Sequence, residues 1–98
     1  MPPAPLQRET VLNAVAVALS TVSKRLNGVS AELSEADRVI GGIPGFDSLC
    51  ALEATVLIEV NLGFTMPENV FINEQGTRAL SVHEAVNRIL LATGVSHD

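Results

Sequence analysis

The sequence predicts an all-α fold, a small bundle of three longer helices and one short helix, and three observations predict it. Apolar residues recur at helical spacing in separate stretches, no stretch of useful length alternates apolar with polar residues, and Gly and Pro fall mainly between the helical stretches. A chain of 98 residues with 47% hydrophobic content is one small domain, able to bury roughly 60–65% of its unfolded surface. Amphipathic helices of this size bury their stripes only against one another, which makes a bundle. The core must be mostly aliphatic, because Phe46, Phe64 and Phe71 are the only aromatic residues.

Residues 1–5, MPPAP, carry three of the five prolines and read as a disordered or extended lead-in. Leu12, Val15, Leu19, Val22 and Leu26 then step by three and four, which puts them on one face of a helix over residues 6–26. Asn27-Gly28 is its stop signal. Residues 29–47 have no long period. Ser34 and Asp37 offer a single turn in which each caps the other, and Gly41, Gly42, Pro44 and Gly45 exclude steady helix or strand. A loop this long in a compact domain is usually functional or structurally required.

Residues 48–62 contain neither Gly nor Pro and form the second helix, with Ser48 at the N-cap and Gly63 at the end. Met66-Pro67 opens a short helix over residues 68–73, pinned by Val70 and Phe71. After a turn at Gly76, Ser81-Val-His-Glu84 matches the capping box, and Val82, Ala85, Val86, Ile89 and Leu90 supply the stripe of a last helix closed by Gly94. The domain therefore spans residues 6–92, and 93–98 form a flexible tail.

The second helix has an unusual pattern. At 100° per residue, Leu49, Leu52, Val56 and Val60 fall within about 80° of arc, and Ala51, Thr55, Ile58 and Leu62 fall on the opposite side. Its only charges are Glu53 and Glu59. The pattern admits two readings: a helix packed on both sides, or one whose second apolar face is exposed beside the helix N-terminus as a docking surface.

Composition removes several function classes. A net charge of −5 and the scarcity of aromatics argue against nucleic acid, which needs clustered Lys and Arg and rewards stacking. Cys50 is the single cysteine, so an internal disulfide and a CxxC site are both excluded, and a reducing, cytoplasmic setting is expected. The uncharged run over residues 10–23 is 14 residues long, short of the roughly 20 that a membrane span needs. Arg8 ahead of an apolar stretch resembles the start of a secretory signal, but Glu9 and Asn13 interrupt it and no A-x-A site follows.

Ile43-Pro-Gly-Phe-Asp-Ser-Leu49 resembles the attachment motif of acyl and peptidyl carrier proteins, in which a Gly-x-Asp-Ser-Leu segment ends the long loop and begins the second helix. The likeness continues without a gap through Met66-Pro67, and residues 81–89 resemble the family's last helix. It covers nearly the whole domain, from about Leu6 to Leu91. The resemblance implies a four-helix bundle of acyl-carrier type, and a monomer. It implies that Ser48 receives 4′-phosphopantetheine from coenzyme A through a phosphopantetheinyl transferase, with Asp47 and Leu49 flanking the attachment point. It further implies that Leu52, Glu53 and Val56 face partner enzymes (ligases, synthases or acyltransferases) and that Ala54, Ile58 and Leu62 turn inward. The chain itself would be no enzyme. It would carry acyl or peptidyl groups as thioesters in fatty acid, polyketide or a specialised biosynthesis.

Two features depart from the family pattern. The second helix is far less acidic than is usual, because Cys50, Ala54, Leu57 and Val60 dilute its charge, which points to apolar docking and a specialised pathway. The connection over residues 73–80 is also long.

Other readings of the same residues are weaker. The stretch from Gly41 to Gly45 lacks the lysine of a phosphate-binding loop. Ser48 as a hydrolase nucleophile would need a G-x-S-x-G elbow and a positioned histidine, and neither is visible. His83 reads as an exposed helix residue and His97 as part of the tail, without partners for a metal. Cys50, in the first turn of the second helix, reads as a small semi-buried hydrophobe. The remaining alternative is a carrier-fold interaction or regulatory module that works without the prosthetic group.

Overall fold

The computed structural model describes residues 7–30, 33–66, 69–73 and 75–92. The expected lead-in, the tail with His97, Gly94 and the Pro67-Glu68 step lie outside the described residues. The architecture is all-helical, with α1 (Arg8–Asn27), α2 (Ser48–Leu62) and α3 (Val82–Ala92). Among the described residues there is no strand, only two isolated antiparallel pairings, Arg38 with Ser81 and Ile72 with Ala79.

The 20 residues of α1 include no Gly or Pro, and the helix stops where Gly28 takes a left-handed conformation and donates its N–H to the Lys24 carbonyl at 2.8 Å. Its buried face is Val11, Ala14, Val15, Ala18, Leu19, Val22 and Ser23. The buried face is wider than the expected stripe, whose Val15, Leu19 and Val22 are buried and whose Leu12 packs half-buried against the core, while Leu26 in the last turn is exposed. The reason lies in packing, since α1 is the central helix and packs against both α2 and α3, which make no close backbone approach to each other. A helix covered over so wide an arc needs small residues for close approach, and Ala14 and Ala18 serve there. Ser23 tolerates burial because its hydroxyl donates to the Val29 carbonyl at 2.8 Å.

The long loop after α1 is a plug. Val39, Ile43 and Phe46 are buried in the core cluster, spaced by turns in which Ile43 N–H donates to Val39 and Phe46 N–H to Ile43. A Cβ on Gly42 would overlap the Arg38 carbonyl oxygen, so glycine is required for this turn to close. The Ser34–Asp37 turn is present but only half of the expected mutual cap forms: Ser34 N–H donates to the Asp37 carboxylate at 2.9 Å, whereas Asp37 N–H goes to the Ser34 backbone carbonyl and not to its hydroxyl. The same loop covers the start of α3, where Val82 and His83 N–H groups donate to the Asp37 and Glu35 carbonyls.

The capping box of α3 is formed as expected. Glu84 N–H donates to Ser81 Oγ at 3.2 Å and Ser81 N–H to Glu84 Oε1 at 2.9 Å. Val82, Ala85, Val86 and Ile89 are buried.

The fourth, short helix is not found among the described residues. Residues 69–73 form a turn in which Asn69 Oδ1 accepts the Phe71 N–H at 3.1 Å and the Asn69 carbonyl accepts the Ile72 N–H at 3.3 Å. The carbonyls are committed elsewhere: Arg88 of α3 binds those of Asn69, at 2.7 Å, and Ile72, and Leu80 N–H takes that of Phe71. A helical ladder has to compete with those bonds. Val70 and Phe71 nonetheless do the pinning expected of them, both fully buried. Truncating a buried Phe such as Phe71 to Ala costs about 3–5 kcal/mol.

Candidate functional site

Ser48 opens α2, but it does not cap it. The N-cap is Asp47, with extended backbone and a carboxylate that accepts the Cys50 N–H at 2.9 Å. The Asp47 carbonyl takes the Ala51 N–H. Ser48 is thus the first residue inside the helix, corrected from the N-cap by one position. Asp and Ser cap equally well in isolation, and the carboxylate reaching the third helical N–H decides between them here.

That one-residue shift sets the chemistry of the site. Asp47, Ser48 and Leu49 are all exposed, and the Ser48 hydroxyl has no hydrogen-bond partner among the described residues. The Asp47 carboxylate is held below the ordinary Asp range, first by the Cys50 N–H and then by the Cys50 thiol. It is turned onto the helix rather than over the serine. Helix geometry leaves the Ser48 N–H without an intrahelical acceptor, at the positive end of the dipole. Among the described residues, the only bond to Ser48 from outside α2 is from Asn69, whose Nδ2 donates to the Ser48 carbonyl at 3.1 Å. Beside it lies an open hollow lined by Ser48, Leu49, Leu52 and Asn69.

Behind Ser48, the two apolar faces of α2 separate cleanly. Ala51, Ala54, Thr55 and Ile58 are buried against the core, and Leu62 is partly buried against it. On the other face Leu49 is 73% exposed, Leu52 42%, Val56 49% and Val60 78%, a continuous apolar strip running from the serine along the helix. Monomeric domains do not need such a strip for folding. Thr55 is accommodated on the buried face because its hydroxyl donates to the Ala51 carbonyl at 2.8 Å and accepts the Val70 N–H at 3.3 Å.

Neither carboxylate of α2 is free. Glu53 pairs with Arg25 of α1, and Glu59 accepts the Met66 N–H at 2.7 Å. Glu53, expected at the partner face, is exposed and at the same time pairs with Arg25, and Leu52 and Val56 are exposed beside it. Cys50 is half-buried, its thiol 3.9 Å from the Gly45 carbonyl.

Other titratable clusters are structural. Arg8 joins Glu35, Asn87 and His83, with its guanidinium 2.8 Å from His83 Nδ1, and the Asn87 amide lies 3.1 Å from His83 Nε2. A guanidinium can only donate, so His83 Nδ1 accepts from Arg8 and the ring is held within this surface cluster. Arg8 holds the Glu35 carboxyl below its usual range. The described residues contain no group of His, Cys, Asp and Glu able to hold a metal ion, and no described helix is long and apolar enough to cross a membrane.

No protein-family model matches the chain, and no curated protein or solved structure matches it at a significant level.

Proposed function

We propose that the chain is an acyl carrier protein that bears 4′-phosphopantetheine on Ser48. The observation that carries this reading is the serine itself: an exposed, unbonded hydroxyl on the first residue of a helix whose cap is supplied by its neighbour. A phosphodiester at that position sits at the positive end of the α2 dipole, so its charge is favoured. The residues present fit the group, because Asp47 leaves the hydroxyl free and Leu49, Leu52 and Asn69 leave open space beside it.

In the attachment, Ser48 Oγ forms a new P–O bond to the pantetheine-bearing phosphorus of coenzyme A. The diphosphate linkage breaks, the adenosine bisphosphate half leaves, and the hydroxyl proton passes to a base of the phosphopantetheinyl transferase. When bound, the group supplies a terminal thiol that holds an acyl or peptidyl chain as a thioester, and its tether raises the chain's effective concentration at a docked enzyme. The chain's own residues carry and present. They catalyse nothing in this reading.

The exposed strip Leu49, Leu52, Val56 and Val60 is the surface for ligase, synthase or acyltransferase partners. Because that strip carries no charge and α2 holds only two carboxylates, Glu53 beside the strip and Glu59, the contact is apolar rather than a match of many acids to a basic surface. This favours a specialised lipid, polyketide or related pathway for a cytoplasmic, monomeric carrier of four-helix type, with the 69–73 turn in the place of the short helix. Intact mass after incubation with coenzyme A and a transferase tests the proposal. A gain of about 340 Da is expected, and no gain refutes it.

The same apolar strip also favours a second reading, a carrier-fold interaction module that works unmodified. Isolation of only the unmodified chain from its native cells would select it.

A further inference from the structure

The turn that replaces the expected short helix does more than fill space, because it carries a side chain, Asn69, that reaches Ser48. Asn69 uses both ends of its amide: Oδ1 accepts the Phe71 N–H at 3.1 Å and Nδ2 donates to the Ser48 carbonyl at 3.1 Å. The first bond fixes which way the amide faces, since only the oxygen can accept from a backbone N–H. The nitrogen is then left pointing at α2. The Asn69 backbone is held in turn from α3, where Arg88 binds the Asn69 carbonyl at 2.7 Å and that of Ile72.

The sequence Arg88, Asn69, Ser48 thus ties the middle of α3 to the first residue of α2, across a gap that the two helices do not close directly. First turns of helices fray, and Asp47 restrains this one from the N-cap side only. Asn69 restrains it from the side, and it also forms the polar wall of the hollow beside Ser48.

We propose that Asn69, set by Arg88, is a positioning residue for Ser48: it fixes the backbone that presents the hydroxyl for modification. The proposal rests on the carrier reading given above. No isostere replaces the amide. Aspartate keeps the acceptor for Phe71 N–H but faces the Ser48 carbonyl with a second acceptor, and it puts a negative charge beside the place where a phosphodiester forms.

The test is the steady-state kinetics of modification of the full chain by a phosphopantetheinyl transferase with coenzyme A. Asn69→Asp is expected to lower kcat by about tenfold or more, the scale of a misplaced reacting group. The KM for the carrier is expected to stay within about twofold, because the docking strip is untouched. Arg88→Met should show the same split in smaller degree. Phe71→Leu serves as the control for loosening alone, since it opens the core under the same turn while keeping the Phe71 N–H bond to Asn69. It should lower the melting temperature and leave kcat near wild type. If Asn69→Asp is modified as fast as wild type, or Phe71→Leu loses kcat equally, the positioning role is overturned while the carrier reading stands. If the wild-type chain takes no phosphopantetheine, the carrier reading fails and this proposal with it.

Discussion

At the start of α3 the hydroxyl of Ser81 is consumed by the Glu84 N–H, and the Glu84 carboxylate returns to the Ser81 N–H and to Arg78 at 3.0 Å. At the start of α2 the hydroxyl of Ser48 faces solvent, because Asp47 has taken the capping role one residue earlier. The two helix starts contain the same residue type in nearly the same place, and one position separates a sealed end from an open one. The sealed end is further covered by carbonyls of the long loop. At the open end, Asn69 reaches the Ser48 carbonyl from the side. A serine that caps is a structural group. A serine one step inside a helix capped by aspartate keeps its hydroxyl free.

The sharpest way to break this comparison is to remove each hydroxyl in turn. Ser48→Ala should abolish the mass gain with coenzyme A and transferase while leaving the melting temperature within a few degrees, as for a surface residue with no bond to lose. Ser81→Ala should do the reverse.

The next largest effect is expected on the strip behind Ser48. Leu52→Arg or Val56→Glu should weaken binding of a cognate partner enzyme by about tenfold or more, as for a central apolar contact. Titration calorimetry of the modified carrier would measure this. Wild-type affinity should change little with added salt, because the strip itself carries no charged residue. A steep salt dependence would show that docking uses charge after all.

Smaller effects follow at the caps. Asp47→Ala and Ser81→Ala should each destabilise by about 1 kcal/mol in urea unfolding, the usual worth of a cap. A loss on Ser48→Ala equal to that on Asp47→Ala would contradict the assignment of the α2 cap.

The smallest effect is a pH slope. Glu84 is held down to about 2, first by Arg78 and then by the Ser81 N–H, from an ordinary 4.5. Its folded pKa is depressed, so its contribution is complete above about 4.5 and is lost as pH falls toward 2. Thermal melts across that window should show the decline in wild type and a shallower one in Glu84→Gln.

Much of this contrast was legible in the sequence. The α3 capping box needs only residues three apart, so Ser81 and Glu84 could be read directly, and Gly28 and Gly63 mark helix ends that local backbone preference fixes. The two faces of α2 were also legible, but which one faces solvent was not. Periodicity says that two apolar faces exist and is silent on what covers them. The α2 cap was misread by one residue because Asp47 and Ser48 are adjacent and equally good caps, and only the reach of the Asp47 carboxylate to Cys50 decides. Asn69 and Arg88 gave no signal. Their bonds to Ser48 and to the 69–72 turn join residues 16–21 positions apart, and no local pattern encodes such a pair. The absence of the fourth helix among the described residues has the same origin, since the carbonyls of the 69–73 turn are claimed by Arg88 and Leu80.

The central claim is that the open helix start, and not the sealed one, is the attachment site. Tandem mass spectrometry of peptides from chain incubated with coenzyme A and a phosphopantetheinyl transferase tests it most directly. Phosphopantetheine on the peptide containing Ser48, localised to that residue, with the Ser81 peptide unmodified, is the predicted result. Modification at Ser81 or elsewhere, or none at all, would contradict it.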